Sequence, residues 1–219
     1  MADQATLRIG DKSPDFECQT QLGPLKWHEY IEGKWALLCS HPKDFTPVCA
    51  TELGRLSQMK DQFAEINCVV AGLSVDSVDN HKKWVEDIND MSSTNLDYPI
   101  ISDPDREISK AWGMLDQTNF EKPGLPLTVR SVFFIGPDKA IKAIITYPAS
   151  TGRNFDEIYR VVDSLQMTVN HKVATPVDWK KGGKCVVVPS ISTEDAKNIF
   201  PKGVEEVRPW IRFTPDPRD

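Results

Sequence analysis

Residues 35–65 read WALLCSHPKDFTPVCATELGRLSQMKDQFAE, and the rest of the predicted fold is organised around them. The first six residues of this stretch form a short apolar run, which is typical of a buried strand. From Leu53 to Phe63 apolar residues recur at roughly helical spacing, so a helix follows the strand. Thr46 suits the N-cap of that helix, and Pro47 suits its first position. The stretch is therefore predicted as strand, loop and helix, with Cys49 in the first helical turn.

The position of Cys49 makes it a candidate nucleophile. In the first turn of a helix, unpaired backbone N–H groups and the positive end of the helix dipole favour a thiolate over a thiol. The competing interpretation is a small buried hydrophobic residue, which is the usual fate of a free cysteine. The local sequence leaves both interpretations open.

Composition limits the classes of function. The 219 residues are 40% hydrophobic and 26% charged, which is ordinary for a soluble globular protein with a sizeable core. The net charge of −6 argues against nucleic acid or an anionic membrane surface as a partner. The opening residues MADQATLRIGDKSP lack the pattern of a secretory signal, and no apolar run approaches the roughly 20 residues of a membrane helix. We expect a cytoplasmic protein without stable membrane insertion.

The five cysteines fit reduced thiols better than a disulfide framework, because their number is odd and their spacing irregular: Cys18, Cys39, Cys49, Cys68 and Cys185. No C-x-x-C pair occurs, which excludes a thioredoxin-type dithiol and a zinc ribbon. Among the four histidines, only His41 lies at ligand spacing from a cysteine, namely Cys49. We therefore predict no metal site.

The rest of the chain alternates strands and helices up to residue 168. The predicted elements are strands at 15–20 and 25–28 before the central stretch, then a strand at 68–74, a helix from Ser77 to about 89, a strand at 98–102, a short helix at 106–112, strands at 130–135 and 140–147, and a helix from Asn154 to about 168. This order predicts an α/β domain with a mixed central sheet flanked by helices, and it resembles the order of a thioredoxin-like domain. On the helix after Ser77, we expect Trp84 and Ile88 to face inward and His81 to lie at the surface.

Residues 169–219 form a small α+β extension to the domain at 6–168. Its predicted elements are an extended segment at 173–179, strands at 185–188 and 210–213, and a short helix at 192–200. Such a segment is too small to hold a core alone, so it should pack on the main domain or on a partner subunit.

Pro42, Thr46 and Cys49 match P-x-x-x-T-x-x-C, the active-site signature of the peroxiredoxins (AhpC/TSA family). The longer string SHPKDFTPVCATELGRL resembles the one-cysteine branch of that family. The resemblance covers nearly the whole chain, because three later segments also match that branch: 136–168, 173–183 and 210–217. It implies a thioredoxin-like fold and a homodimer in which the C-terminal extension packs on the partner subunit.

The resemblance implies a thiol-specific peroxidase that reduces hydrogen peroxide and organic hydroperoxides in antioxidant defence and redox homeostasis. Cys49 would be the peroxidatic cysteine, whose thiolate attacks a peroxide oxygen and becomes a sulfenic acid. Thr46 would hydrogen-bond the thiolate and the incoming peroxide, and Pro42 would shield the pocket from water.

Three further positions match the pocket of the family. Arg130 matches the active-site arginine, whose guanidinium can hold the thiolate and a peroxide oxygen together. His41 and Arg153 match positions near the pocket and are expected to have supporting roles.

Ionisation of the thiol cannot supply most of the rate. A thiol with a pKa near 8.5 is about 3% ionised at pH 7, so complete ionisation gains at most about 30-fold. Enzymes usually reach at least about 10⁶-fold. Alignment of the peroxide and stabilisation of the departing oxygen must therefore supply the remainder.

The chain lacks the resolving cysteine of two-cysteine peroxiredoxins, which lies in a C-terminal Val-Cys-Pro context. Cys185 lies in Gly-Lys-Cys-Val-Val-Val-Pro and is predicted as a structural residue on a strand. No bound cofactor is implied. Oxidised Cys49 would instead need an external thiol, for which the resemblance suggests glutathione, delivered by a partner such as a glutathione transferase.

The one-cysteine branch is also credited with a phospholipase A2 activity that uses a serine, a histidine and an aspartate. The matching histidine and aspartate are His28 and Asp138, but Lys34 occupies the serine position. Lysine offers no hydroxyl nucleophile, so we expect little or no serine-dependent lipase activity.

Two other functions remain as alternatives. A Cys–His hydrolase could use Cys49 and His41, although no obvious motif supplies a third residue to orient the histidine. A redox sensor or chaperone-like assembly would form the sulfenic acid without turnover supported by a reductant.

Overall fold

The computed structural model describes residues 4–119 and 126–218. The chain forms two compact units, Met1–Arg153 and Asn154–Asp219. The boundary between the units lies at residues 153–154, before the helix predicted from Asn154 to about 168, whereas the sequence assigned that helix to the first domain (6–168). The reason is that this helix packs on a strand of the second unit and contributes Met167 to the core of that unit.

The first unit contains seven strands, four α-helices and one 3₁₀ turn among its described residues. They are β1 (Glu17–Thr20), β2 (Gly23–Lys26), α1 (Trp27–Tyr30), β3 (Trp35–Ser40), α2 (Pro47–Glu65), β4 (Cys68–Ser74), α3 (Val78–Ser92), β5 (Ile100–Ser102), α4 (Glu107–Ala111), the 3₁₀ turn Gln117–Asn119, β6 (Arg130–Ile135) and β7 (Ile141–Tyr147). The segment between the predicted helix at 106–112 and the predicted strand at 130–135 lies partly outside the described residues.

One mixed sheet organises the first unit, with strand order β2-β1-β5-β4-β3-β6-β7. The central strands β3, β4 and β5 are parallel, whereas β6 runs antiparallel to β3 with Cys39 opposite Val132. Every residue of β3 is buried, as expected for a strand covered on both faces. The predicted α/β fold with a mixed central sheet is confirmed.

An aromatic cluster fills part of the core beneath the sheet. The ring of Trp112 meets Trp27 and Phe133 edge-on, with ring centroids 6.1 and 5.1 Å apart. Trp27 also stacks on Phe16 at 5.5 Å. This packing explains why β2 ends at Lys26, although a strand was predicted at 25–28. The chain forms a helical turn from Trp27 onward, which directs the Trp27 ring into the core.

Helix α2 begins as predicted, with Thr46 at the N-cap and Pro47 at the first helical position. It packs closely on α3 at Gly54, where a β-carbon would lie only 2.8 Å from Cβ of Ser92. A larger side chain at Gly54 would separate the two helices. The close approach therefore helps to hold the first turn of α2 in place.

His81, predicted at the surface of α3, is fully buried. It lies at i+3 from Val78 and i−3 from Trp84, which places it on the inward stripe of the helix. Its Nδ1 atom lies 2.6 Å from Oδ2 of the buried Asp44. The surface prediction was wrong because it followed the polarity of histidine and not its position on the helix.

The second unit builds its own small sheet and core. Its elements are α5 (Phe155–Asn170), β8 (Val173–Ala174), β9 (Cys185–Val187), α6 (Thr193–Ile199), β10 (Glu205–Arg208) and β11 (Ile211–Thr214). The strand order is β10-β11-β9-β8. Asn154 caps α5 as predicted, because its side chain accepts hydrogen bonds from the backbone N–H groups of Asp156 and Glu157. Strand β10 was not predicted, and of the extended segment at 173–179 only two residues form a strand.

The C-terminal residues of the second unit are anchored by Arg218. Its guanidinium donates to the carboxylates of Asp163 and Asp216 and lies 5.8 Å from the centre of the Trp179 ring. Hydrogen bonds from Arg218 lower the pKa of Asp216 to about 2.

Among the helices of the described residues, none has the length and apolar character needed to cross a membrane.

Candidate active site

Cys49 and Arg130 meet in the interior of the first unit. Cys49 is fully buried in the first turn of α2, and Nη1 of Arg130 donates to its Sγ at 3.3 Å. Arg130 opens β6, and its Nε and Nη2 atoms donate to the carbonyl of Ala149 at 2.9 and 2.6 Å. The guanidinium is thus fixed from the side opposite the sulfur. The structure brings together the two residues that the sequence placed 81 positions apart.

Glu52 joins this pair, although no sequence motif pointed to it. It lies three residues after Cys49 on α2, is only 3% exposed, and its Oε2 accepts from Arg130 Nη1 at 2.8 Å. Residues at i and i+3 share one face of a helix. That spacing was the signal in the sequence that could have placed Glu52 beside the cysteine.

Arg153 completes the cluster from the segment after β7. Its backbone N–H and its Nε donate to Oε1 of Glu52 at 2.8 and 3.0 Å, and its Nη2 donates to Oε2 at 2.7 Å. Its Nη1 reaches the carbonyl of Ser131 at 3.0 Å. Arg153 is therefore a buried partner of Glu52, and its second anchor, Ser131, directly follows Arg130 in the chain.

The charges of the cluster explain why Glu52 ionises. Burial raises the pKa of Glu52, but the charge and hydrogen bonds of Arg153, together with the charge of Arg130, outweigh it and hold that pKa below its usual value. One carboxylate thus lies between two guanidiniums, which leaves one positive charge in excess. A thiolate at Cys49 brings the four buried side chains of Cys49, Glu52, Arg130 and Arg153 to neutrality.

Thr46 and Pro42 lie in the loop before α2. The hydroxyl of Thr46 donates to the carbonyl of Lys43 at 2.8 Å and makes no capping hydrogen bond to the helix. It also makes no hydrogen bond to Cys49 in this structure. Pro42 is buried. Between them Phe45 adopts φ 54°, the left-handed region that a bulky residue rarely occupies, and this turn sends the chain into α2.

The ring of His41 is fully buried and pairs with Asp44. Its Nε2 lies 2.9 Å from Asp44 Oδ1, and the ring packs against Trp84 with centroids 5.4 Å apart. Its Nδ1 has no hydrogen-bond partner among the described residues. No group of three or more His, Cys, Asp or Glu side chains in the described part of the chain is arranged to hold a metal ion.

The other four cysteines are free thiols in settings that disfavour ionisation. Burial raises the pKa of Cys39 to about 11, and burial with the charge of Asp103 raises that of Cys18 to about 12. Burial likewise raises the pKa of Cys68, and burial with Asp216 raises that of Cys185. A thiol that stays protonated is a poor nucleophile, so these four residues fit packing roles.

The residues matched to the lipase site do not pair as such a site requires. His28 Nε2 lies 3.2 Å from Ser13 Oγ and 3.0 Å from the Ser13 carbonyl oxygen. Asp138, at the hairpin, accepts instead from Lys142 at 2.6 Å and from the N–H of Ala140. Nδ1 of His28 also lies 3.5 Å from Oδ2 of Asp15. Ser13 is nevertheless a poor nucleophile candidate, because it is only 2% exposed and its carbonyl oxygen competes with its hydroxyl for Nε2 of His28. This arrangement binds the N-terminal segment and does not present a nucleophile.

Comparisons with known proteins cover both units. Residues 9–144 match the AhpC/TSA family, and residues 164–203 match the C-terminal domain of 1-Cys peroxiredoxin. Peroxiredoxin-6 of Gallus gallus is 49% identical over 220 residues, which span 96% of this chain and 98% of that protein. A solved structure of a mutant peroxiredoxin 6 of Arenicola marina is 45% identical, with a TM-score of 0.91 over 98% of this chain and 100% of that chain.

A yeast mitochondrial 1-Cys peroxiredoxin is also similar in structure. It is 39% identical, with a TM-score of 0.89, over 96% of this chain and 100% of that chain. Its structure is described as the basis of thiol resolution through the glutathione/thioredoxin systems.

Replacement of Glu52 by glutamine tests the cluster. The amide keeps the shape but loses the charge that balances Arg130 and Arg153, and breaking a buried ion pair costs about 3–5 kcal/mol. We expect a loss of that order in the free energy of unfolding, measured by urea denaturation at pH 7. The pKa of Glu52 is lowered on folding, so its contribution is present above the unfolded-state pKa of about 4.3 and is lost as the pH falls below it. The gap between wild type and variant should narrow on acidification.

The matched control is Glu157→Gln, which breaks the partly exposed pair with Arg160 at 2.6 Å. Such pairs contribute about 0–1 kcal/mol. Equal losses in the two variants would contradict the assigned role of Glu52.

Proposed function

Because the chain belongs to the AhpC/TSA family, as a one-cysteine peroxiredoxin and thus a thiol-dependent peroxidase, we propose that Cys49 is its peroxidatic residue. The observation that carries this assignment is the hydrogen bond of Arg130 to the buried sulfur, at 3.3 Å, within a cluster that becomes neutral when Cys49 is a thiolate. The substrates are hydrogen peroxide and organic hydroperoxides.

The proposed reaction begins with attack of the Cys49 sulfur on one peroxide oxygen. A sulfur–oxygen bond forms while the oxygen–oxygen bond breaks, so that sulfur is oxidised and the peroxide is reduced by two electrons. The second oxygen takes up a proton and leaves as water or alcohol. Cys49 is left as a sulfenic acid.

Arg130 is proposed to stabilise the departing charge. Its Nη1 is already held by Glu52 at 2.8 Å and its Nε and Nη2 by Ala149, so the donor needs no reorganisation when negative charge develops. Arg153 supports it by fixing both oxygens of Glu52.

Thr46 and Pro42 are proposed to complete the pocket. The Thr46 hydroxyl donates to Lys43 in the resting structure, and rotation about its side-chain bond would redirect this donor toward the thiolate and the peroxide. Pro42, which is buried and carries no N–H group, would cover the pocket with an apolar ring that offers water no hydrogen-bond partner.

We further propose that an external thiol regenerates Cys49. Cys185, the only cysteine of the second unit, is fully buried on β9 and its pKa is raised, so it is poorly suited to resolve a sulfenic acid. Glutathione is the proposed reductant, supported by the yeast relative whose resolution is described through glutathione/thioredoxin systems. A thiol-delivering protein such as a glutathione transferase is the proposed partner, and antioxidant defence the proposed role.

The proposed assembly is a homodimer with the second unit of each chain packed on the partner subunit. Strand β7 lies at the end of the seven-stranded sheet, and an edge strand can pair with another chain. In the second unit, Val177 and Trp210 are 88% and 75% exposed, which is unusual for large apolar side chains. Sedimentation of the protein at micromolar concentration should give a species of twice 24.7 kDa, and a monomer would contradict the proposal.

The proposed site of action is the cytoplasm. All five cysteines are free, which fits a reducing compartment. Retention of the protein by a membrane or organelle fraction would exclude this location.

Substitution of Cys49 by serine tests the function. We expect peroxide consumption with glutathione to be abolished in Cys49→Ser, because serine cannot form the sulfenic acid, and to persist in the matched control Cys185→Ser. A steady-state assay that follows peroxide loss distinguishes the two. Retained turnover in Cys49→Ser would overturn the assignment, and turnover with thioredoxin that depends on Cys185 would contradict the one-cysteine mechanism.

A further inference from the structure

A buried carboxylate lies between two buried histidines beside the proposed peroxide pocket. Asp44 is 1% exposed, and His41 and His81 are both fully buried. Asp44 Oδ1 lies 2.9 Å from His41 Nε2, and Asp44 Oδ2 lies 2.6 Å from His81 Nδ1. We refer to His41, Asp44 and His81 as the Asp44 relay.

The hydrogen-bond partners define the protonation of the relay. His81 faces an oxygen from each ring nitrogen, because its Nε2 lies 3.3 Å from the Ile101 carbonyl. Two acceptors require two N–H donors, so this is the geometry of an imidazolium. Burial raises the pKa of Asp44, but its hydrogen bonds to His41 and His81 outweigh it and bring that pKa to about 2, so Asp44 is ionised.

The charge of Asp44 is therefore already balanced by His81, which leaves His41 as the neutral member. His41 donates its Nε2–H to Asp44, and its Nδ1 carries a lone pair with no protein partner among the described residues. Burial lowers the pKa of His41 against the effect of Asp44, and the charges of His81 and Arg153 lower it further.

The sheet register places His41 on the same sheet face as Arg130, the residue that contacts the reacting sulfur. Cys39 on β3 is opposite Val132 on the antiparallel β6, so the next same-face pair along these strands is His41 and Arg130. Thr128, just before β6, holds the His41 carbonyl at 2.6 Å. His41 therefore shares a sheet face with the guanidinium that contacts Cys49.

We propose that Asp44 and His81 are positioning residues for peroxide reduction, which hold His41 neutral with Nδ1 free to accept a proton. This role rests on the proposed function of Cys49. His41 Nδ1 takes the thiol proton of Cys49 through a bridging water and gives it to the oxygen that leaves when the peroxide bond breaks. The proton moves from sulfur to nitrogen to oxygen, so the thiol and the peroxide yield the sulfenic acid and an alcohol or water with no other reactant.

The charged groups around the relay come from four segments. Asp44 belongs to the loop before α2, His81 to α3, and Arg153 to the segment after β7. Asp76, after β4, accepts the backbone N–H of Asp44 at 2.9 Å and lies 3.0 Å from Ser74 Oγ, which also reaches Asp44. Removal of the positive charge of His81 removes one of the two cations that lower the pKa of His41, whereas neutralising Asp44 removes the anion that raises it.

The two substitutions should therefore shift the titration of His41 in opposite directions. His81→Gln should raise its midpoint by about one pH unit or more, and Asp44→Asn should lower it, as expected for the loss of a neighbouring charge. The measurement is ¹⁵N NMR of the four histidine rings in the full-length reduced protein, in which ring nitrogen shifts report tautomer and protonation. His171→Gln, on the half-buried residue at the end of α5, is the matched control and should leave the His41 signals unchanged.

A kinetic readout accompanies the spectrum. In His81→Gln, the ratio of the single-turnover rate of Cys49 oxidation at pH 6 to that at pH 8 should fall about tenfold, because a protonated His41 accepts no proton. A purely structural role of His81 would lower both rates together.

The NMR measurements test the Asp44 relay independently of whether the protein reduces peroxide. In the wild type at pH 7, a neutral His41 with its proton on Nε2 and a doubly protonated His81 support the relay, and this test needs no variant to fold. A proton on Nδ1 of His41, or shifts of its midpoint in the same direction in both variants, would overturn it. Absence of peroxide consumption by the wild type would instead overturn the proposed function alone.

Discussion

The carboxylate of Glu52 between two guanidiniums is the interaction on which the site depends. Arg130 and Arg153 each bind it at 2.7–2.8 Å inside the protein, where an unpaired cation would be strongly destabilising. One negative charge cannot balance two positive charges, so the cluster favours a second anion close by. Cys49, one helical turn from Glu52, is the group that can supply it.

Cys49, Arg130 and Arg153 belong to three different segments of the chain, and separate contacts hold each segment in place. Helix α2 packs closely against α3 at Gly54, and this contact holds the helix that carries Cys49 in its first turn. Strand β6 lies between β3 and β7 in the sheet, which fixes Arg130 at its start. The segment after β7 places Arg153 through its backbone N–H as well as its side chain. Donors held in this way can stabilise developing charge without reorganisation, which is the main source of rate in many enzymes.

Sequence patterns predicted the parts of this site that depend on local structure. The strand, the N-cap position of Thr46 and the helix start at Pro47 follow from short-range rules, and the resemblance added Arg130. Glu52 was not predicted as a site residue, because a glutamate on a helix is normally solvated. Its burial depends on Arg130 and Arg153, which lie 78 and 101 positions further along the chain. His81 was misplaced for the same reason, since its partner Asp44 lies 37 residues away.

The wrong predictions for the second unit have a different cause. All four residues of β10 are exposed, so the strand lacks the alternation of apolar and polar residues that marks a half-buried strand. The boundary between the units likewise depends on which core receives the apolar face of α5, and periodicity reveals that a helix has such a face but not what it packs against.

We propose that alignment by Arg130, rather than ionisation of the thiol, supplies most of the rate. Arg130→Lys separates the two effects, because lysine keeps the positive charge but not the fork of donors that binds sulfur, Glu52 and Ala149 together. The decisive measurement is a pair of rates at pH 7: alkylation of Cys49 by iodoacetamide, which needs only the thiolate, and its single-turnover oxidation by hydrogen peroxide. Alkylation should change by less than the roughly 30-fold bound set by ionisation, while oxidation falls by about 10²–10³-fold. An equal fall in both rates would contradict this role of Arg130.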